Sequence, residues 1–251
     1  MSTPRAKLDR LCGPGSVACA WLGLAAPAAA RLTALAGLRA AVIDREHGAI
    51  GVETAAAMVF AVKAQGAAAF VRVPDRGKGQ IQQALDAGAD GLVLPQVETA
   101  EQAAAAVRLA LYPPAGSRGA AAAVIPATGY GTTPGYQSGW NAHALIAAQI
   151  ESRAGLAAMR DIAAVPGIDM LFFGPFDYSA DAGLDVETDA SALAEVFAEI
   201  RAAASEAGKL SGAFPWPGRR AGELLGEGVD LVAAVSDLVA LRAAFAAAAA
   251  L

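Results

Sequence analysis

The sequence predicts an α/β protein: one (β/α)8 TIM barrel spanning residues 1–251 as a single domain. Three observations carry that prediction. Short, near-continuous apolar runs alternate with alanine-rich helical stretches to the end of the chain, the pattern of repeated βα units with a buried parallel sheet. The runs number eight, and 251 residues is a typical length for one such barrel. The Gly-x-Gly-x-x-Gly turn that marks an open, doubly wound sheet is missing after the first run.

Taken in order, the strands are expected at 17–24, 40–44, 68–73, 91–97, 145–150, 170–173, 210–214 and 231–235. Helices are expected between them, for example at 51–65, 100–111, 155–164, 190–207 and 219–226, with Gly66, Gly88, Gly167, Gly208 and Gly228 as C-terminal caps. At the N-terminus, Arg5, Lys7 and Arg10 precede an apolar stretch ending in small residues, which resembles a secretion signal. Gly13, Pro14 and Gly15 interrupt it, and Pro27 follows at a strand-to-helix turn, so the stretch is read as the first strand behind a short tail holding Lys7. The pattern breaks once, at 112–141, where Gly, Pro and aromatic residues cluster; a loop this long suggests a lid or a subunit contact. Residues 237–251 form an alanine-rich C-terminal helix that has to dock on its own barrel or a neighbour's.

Composition narrows the partners. A net charge of −5 without a Lys/Arg cluster argues against nucleic acid or an anionic membrane, and no apolar run of spanning length is free of Gly, Pro or charge. The two cysteines, Cys12 and Cys19, have no Cys-x-x-Cys or His partner and read as buried reduced thiols, which suits the cytoplasm.

In this fold the C-terminal ends of the strands build the active site. Read there, the sequence supplies Asp44, Arg45, Glu46 and His47 after strand two, Arg72 at the end of strand three, Gln149 and Glu151 at strand five, and Gly174, Phe176 and Asp177 after strand six. Neighbouring parallel strands lie about 4.8 Å apart, so Glu151 and Asp177 can converge on one cation. Two carboxylates leave positions open for water and substrate, which suits Mg²⁺ or Mn²⁺ better than structural Zn²⁺. None of the four lysines stands at a strand's C-terminal end, so a Schiff-base nucleophile is not expected and a carbonyl substrate would be activated by the metal. His143, in or just after the long loop, is assigned a structural or solvent role. Trp21 and Trp216, near the ends of strands one and seven, either line the mouth or pack.

These motifs resemble the HpcH/HpaI aldolase family, the class II, metal-dependent 2-keto acid aldolases. The resemblance lies in Ile43 to Gly48, Val71 to Pro74, Leu85 to Gly88, Leu94 to Val97, Tyr112 to Gly119, Gln149 to Ser152, Phe173 to Ser179 and Ser236 to Leu238, in order along nearly the whole chain. It implies a divalent metal, Mg²⁺ or Mn²⁺ with Co²⁺ as a further candidate, on Glu151 and Asp177, chelated by a 2-keto acid. Gln149 and the backbone N–H groups of Phe176 and Asp177, following Gly174, would hold the substrate. Arg72, in a catalytic set with Asp44, would stabilise enolate and alkoxide, and His47 would be the acid/base through a metal-bound water. It also implies that Asp86 makes His47 more basic; because Asp86 lies late in a helix that runs away from the mouth, that contact is expected only across a subunit interface. The resemblance further implies a homo-oligomer, a hexamer of dimers that exchange their last helix.

The chain departs from the family where Arg45 replaces a usual Gly, and where Phe176 and Tyr178 replace Ala and Leu, departures that bear on aldehyde specificity. The implied reaction is reversible addition of a pyruvate or hydroxypyruvate enolate to an aldehyde. The alternatives are an acyl-CoA lyase of the citrate-lyase β type, for which Arg219 and Arg220 are the only basic pair in view, and a ligand-binding barrel without turnover.

Overall fold

Eight parallel strands pair in sequence order, and the last closes on the first: β1 (Val17–Leu22), β2 (Ala40–Asp44), β3 (Ala68–Arg72), β4 (Gly91–Leu94), β5 (Leu145–Ile150), β6 (Met170–Phe173), β7 (Leu210–Ala213) and β8 (Leu231–Ser236). The computed structural model describes residues 2–250. Around the barrel run α1 (Pro4–Cys12), α2 (Pro27–Leu35), α3 (Val52–Lys63), α4 (Lys78–Asp86), α5 (Ala100–Ala110), α6 (Tyr136–His143), α7 (Arg153–Ala164), α8 (Pro175–Ala182), α9 (Ala190–Glu206), α10 (Ala221–Gly226) and α11 (Asp237–Ala249). The predicted barrel is present. Among the described residues no helix is long and apolar enough to cross a membrane.

Because side chains alternate across a strand, one parity fills the barrel and the other packs against the helices. Val42, Phe70, Ala147 and Phe172 belong to the inner cluster, while Ile43, Val71, Ala148 and Phe173 join the outer one. Gly212 has to be glycine here, since a Cβ would overlap Phe172. The five predicted capping glycines all have positive φ, between 65° and 102°. Ser152 caps α7 by accepting from the Gly155 N–H at 3.0 Å.

Three stretches differ from expectation. The N-terminal tail is a helix, α1, capped by Thr3, and it closes the bottom of the barrel with Leu8 and Cys12. Lys7 is therefore buried, and its Nζ meets both oxygens of Asp169 at 2.8 and 2.9 Å. Cys12 and Cys19 are free and buried as expected, and burial pushes the Cys12 thiol up to about 12. Strand β4 stops at Leu94 rather than 97, because Gln96 turns through φ 52°.

The 112–141 segment holds two 3-10 turns and α6, and it joins α5 to β5. A helix-to-strand connection returns to the N-terminal end of the barrel. The segment thus packs beside Leu11, Lys63, Gly88 and Asp90, opposite the mouth, and cannot be a lid over its own site. His143 lies at that end, with Nδ1 2.8 Å from Arg10. Helix α11 leaves β8 and packs chiefly on the ends of β1 and β8. It stops at Ala249, and residue 251 of the expected helix lies outside the described residues.

Candidate active site

The parity that turns Val42 and Phe70 inward also turns Asp44 and Arg72 inward, one layer higher, where the barrel opens. Their Cα atoms are register partners on β2 and β3. Arg72 donates to Asp44 through Nε (2.9 Å) and Nη2 (2.6 Å), and its Nη1 lies 2.9 Å from Glu46 Oε2. Asp44 also accepts from the Trp21 indole N–H at 3.1 Å and from the backbone N–H groups of Glu46 and His47 at 3.0 and 3.3 Å. Burial by itself would raise the Asp44 pKa; the bonds and charge of Arg72, with the indole's help, outweigh burial and lower it. The guanidinium lies 5.0 Å from the Trp21 ring centre, so it is braced by a ring and two carboxylates at once.

Strands β5 and β6 are neighbours, as the carboxylate pairing requires. Gln149 is completely buried and donates through Nε2 to Glu151 Oε2. Glu151 Oε1 accepts from the Gln96 N–H at 2.7 Å, and this is the contact that the left-handed turn at Gln96 sets up. Gly174 begins the next connection, and a Cβ there would sit 2.6 Å from Glu151 Oε2 and 2.8 Å from Gln149 Nε2. Only glycine leaves this carboxylate room. Pro175 then opens α8, whose first-turn N–H groups at Phe176 and Asp177 have no partner within the helix.

Burial, together with Asp177 and Glu46, pushes Glu151 up to about 8 against the opposing Gln96 bond and Arg72 charge. Burial likewise raises Glu46 against the pull of Arg72. The mouth therefore gathers more carboxylate than its own cations neutralise. Asp177 and Phe176 are exposed on the rim, and the His47 side chain is 61% exposed, with Nε2 3.9 Å from Glu46 Oε2. Trp21, Phe172, Phe214 and Phe176 make an aromatic wall, with Trp21 and Phe214 centred 4.3 Å apart and Phe176 and Phe214 6.5 Å apart. Trp216 turns the other way and packs on Phe173 and Phe197 in the outer layer, as does Tyr178 on Phe173.

The structure thus brings Asp44, Arg72, Gln149, Glu151, Gly174, Phe176 and Asp177 to one mouth, with His47 on its rim. Asp86 is not there. It ends α4 at the opposite end of the barrel and pairs with Arg118 at 2.8 Å. Glu46, at the mouth as expected, gains a role as the second carboxylate on Arg72, and the Gln96 N–H joins the site although no strand end pointed to it. Asp237 also gains one: it accepts from the N–H groups of Gly23 and Leu24 at 2.9 and 3.1 Å and ties the end of β8 to the turn after β1.

The profile of the HpcH/HpaI aldolase/citrate lyase family matches residues 18–244, nearly all of the barrel. The chain belongs to that family. Among HpcH/HpaI relatives, the hydroxypyruvate/pyruvate aldolase of Roseovarius nubinhibens is 36% identical over 76% of this chain and 75% of its own. The 4-hydroxy-2-oxovalerate aldolase of Novosphingobium aromaticivorans is 39% identical over 85% of this chain and 81% of its own. A crystal structure of an HpcH/HpaI aldolase/citrate lyase family protein from Burkholderia cenocepacia J2315 superposes with a TM-score of 0.89 at 32% identity, covering 98% of both chains. This HpcH/HpaI member is an enzyme of the aldolase class. Its mouth offers hard oxygen donors beside a fixed guanidinium, a combination suited to stabilising oxyanions next to a hard cation.

Proposed function

We propose that this aldolase holds a divalent cation, Mg²⁺ or Mn²⁺ with Co²⁺ as a third candidate, on Glu151 and Asp177, and adds the enolate of pyruvate or hydroxypyruvate reversibly to an aldehyde. The observation that carries the reading is Glu151. A buried carboxylate beside Asp177 and Glu46, pushed up to about 8, is a donor that a cation would ionise and satisfy. The residues fit such a group in two further ways. Gln149 Oε1 is buried without a hydrogen-bond partner among the described residues, and Gly174 keeps the space beside Glu151 clear. Among the described residues no group of three or more His, Cys, Asp or Glu forms a closed metal cage, so solvent and substrate oxygens would complete the coordination.

When bound, the cation supplies Lewis-acid polarisation of the 2-keto group. The chain's own residues do the rest. The free N–H groups of Phe176 and Asp177 receive the substrate carboxylate at the start of α8. Arg72, fixed by Asp44 and Glu46, faces the oxygen on which negative charge develops as the C3 proton leaves or the carbon bond breaks. His47 takes the C3 proton and returns it to the alkoxide of the adduct, the two transfers reversing in cleavage, and Asp86 of a second copy supports its basicity. The aromatic wall keeps bulk water from the donor. The chain works as a homo-oligomer, and small 2-keto acids and aldehydes are its substrates.

An acyl-CoA substrate gains little support from the basic pair, since each arginine already has a glutamate beside it: Arg219 lies 2.5 Å from Glu227 and Arg220 2.8 Å from Glu223. The test is proton exchange at C3 of deuterated pyruvate, followed by NMR on EDTA-stripped protein with each metal added back, alongside calorimetric metal titration of wild type and Glu151→Gln. Exchange and binding that both require the metal and Glu151 are expected; exchange that persists in EDTA would overturn the reading.

A further inference from the structure

Arg118 lies far from the mouth, and none of the roles above uses it. Its side chain is 0% exposed, a costly place for a guanidinium. The rings of Tyr112 and Trp140 are each centred 4.7 Å from it and that of Tyr136 6.0 Å. Nη2 donates to Asp86 Oδ1 at 2.8 Å, while Nε and Nη1 are buried with no hydrogen-bond partner among the described residues.

The surrounding chain is folded to aim this one side chain. Asn141 clasps Tyr112 by accepting from its N–H and donating to its carbonyl, both at 2.9 Å. The N–H groups of Ser117 and Arg118 return to the carbonyls of Arg108 and Leu111 at 2.6 and 2.9 Å. Gly116 permits the fold-back, since a Cβ there would overlap both of those carbonyls. An apolar side chain would fill the ring cage without leaving polar atoms idle. What only arginine adds is a rigid, charged fork pointed at a carboxylate. Asp86 ends α4, its side chain is 17% exposed, and Oδ2 accepts no hydrogen bond among the described residues.

We infer that Arg118 is a positioning residue: by holding Oδ1 it turns Oδ2 of Asp86 outward from α4, toward the imidazole of His47 in a second copy of this chain. The 112–141 segment is then a scaffold for that alignment. The inference rests on the proposed partnership of Asp86 and His47, and a double-mutant cycle on the intact oligomer separates the two.

Asp86→Asn, Arg118→Gln and the double variant are compared by kcat and KM for C3 exchange, with unfolding midpoints measured alongside. Since a hydrogen bond to a charged group is lost in each, either single change is expected to lower kcat by about tenfold to a hundredfold with KM little moved. The double variant should be no slower than the slower single one, because Arg118 acts only through Asp86. Losses that multiply would overturn the inference and make Arg118 a general support of the fold. So would an unchanged kcat in Arg118→Gln when Asp86→Asn is slow. An unchanged kcat in Asp86→Asn removes the partnership with His47 itself. Should Arg118→Gln not fold, Arg118→Lys, which keeps the charge and loses the fork, carries the same cycle and is expected to recover part of the rate.

Discussion

Arg72 donates twice to Asp44 and meets Glu46 with its third nitrogen, so its plane is fixed before any substrate arrives. Arg72→Lys keeps the charge but loses the fork, and C3 exchange is expected to slow by about 10²- to 10³-fold, the usual effect of removing one oxyanion donor. A rate within a few-fold of wild type in the NMR assay would show that charge alone suffices. Glu151 makes a separate statement about pH. Its folded pKa, about 8, lies above the ordinary carboxylate value, so its contribution to stability is fully present below the unfolded value and is lost as pH rises through about 8. The melting temperature of the metal-free protein should therefore fall from pH 5 to pH 9, and Glu151→Gln should flatten that slope. Added Mn²⁺ should raise the melting temperature most at the alkaline end, where it no longer competes with a proton. Most of this site was legible from strand ends, because side-chain parity puts Asp44, Arg72 and Gln149 inside the mouth. Glu46 was visible in its motif but needed the turn after β2 to reach Arg72. Gln96 was not legible at all, since what it contributes is a backbone N–H aimed by a positive φ.

Helix α1 shows what element-scale reading missed and why. Its sequence carries only Leu8, Leu11 and Cys12 as sizeable apolar residues, and Lys7 in its middle reads as solvent-facing. In the folded chain the stem of Lys7 is buried and its charge is matched by Asp169, whose side chain is 4% exposed and also accepts from the Ile146 N–H at 3.0 Å. Burial raises the Asp169 pKa, and Lys7 opposes the shift. Lys7→Met leaves that carboxylate buried without its cation, a change expected to cost about 3–5 kcal/mol in urea unfolding. The Lys7→Met/Asp169→Asn pair should recover part of the loss; a single variant as stable as wild type would mean that α1 closes the barrel by apolar packing alone. Of the two readings of the 112–141 segment, a lid or a subunit contact, the lid over its own site fails for a related reason. Its glycines and prolines announce irregular chain, but which face of the barrel it covers follows from joining a helix to a strand, and the scaffold role proposed for it rests on Arg118 and the three rings around it.

At the scale of the whole molecule the apolar surface is left incomplete. On α11, Leu238, Val239 and Phe245 are 50, 56 and 69% exposed, and on α2 Leu32 and Leu35 are 64 and 58% exposed. A helix this apolar and this open gains by docking on another copy, which supports exchange of α11 between two chains. If the same pairing also brings Asp86 of one chain to His47 of the other, mixing tests both at once. His47→Ala and Asp86→Ala variants should each be slow. Co-refolded in equal amounts, they form hybrid pairs in which one site carries both changes and the other carries neither. Half of the pairs are hybrids, each with one intact site of two, so about a quarter of wild-type activity should return. Deleting 239–251, which keeps the Asp237 tie to the β1 turn, should reduce the assembly toward the mass of one truncated chain in light scattering and abolish the recovery. If the mixture stays as slow as its parents while the oligomer is intact, His47 and Asp86 do not meet across an interface. Helix exchange would then concern stability alone.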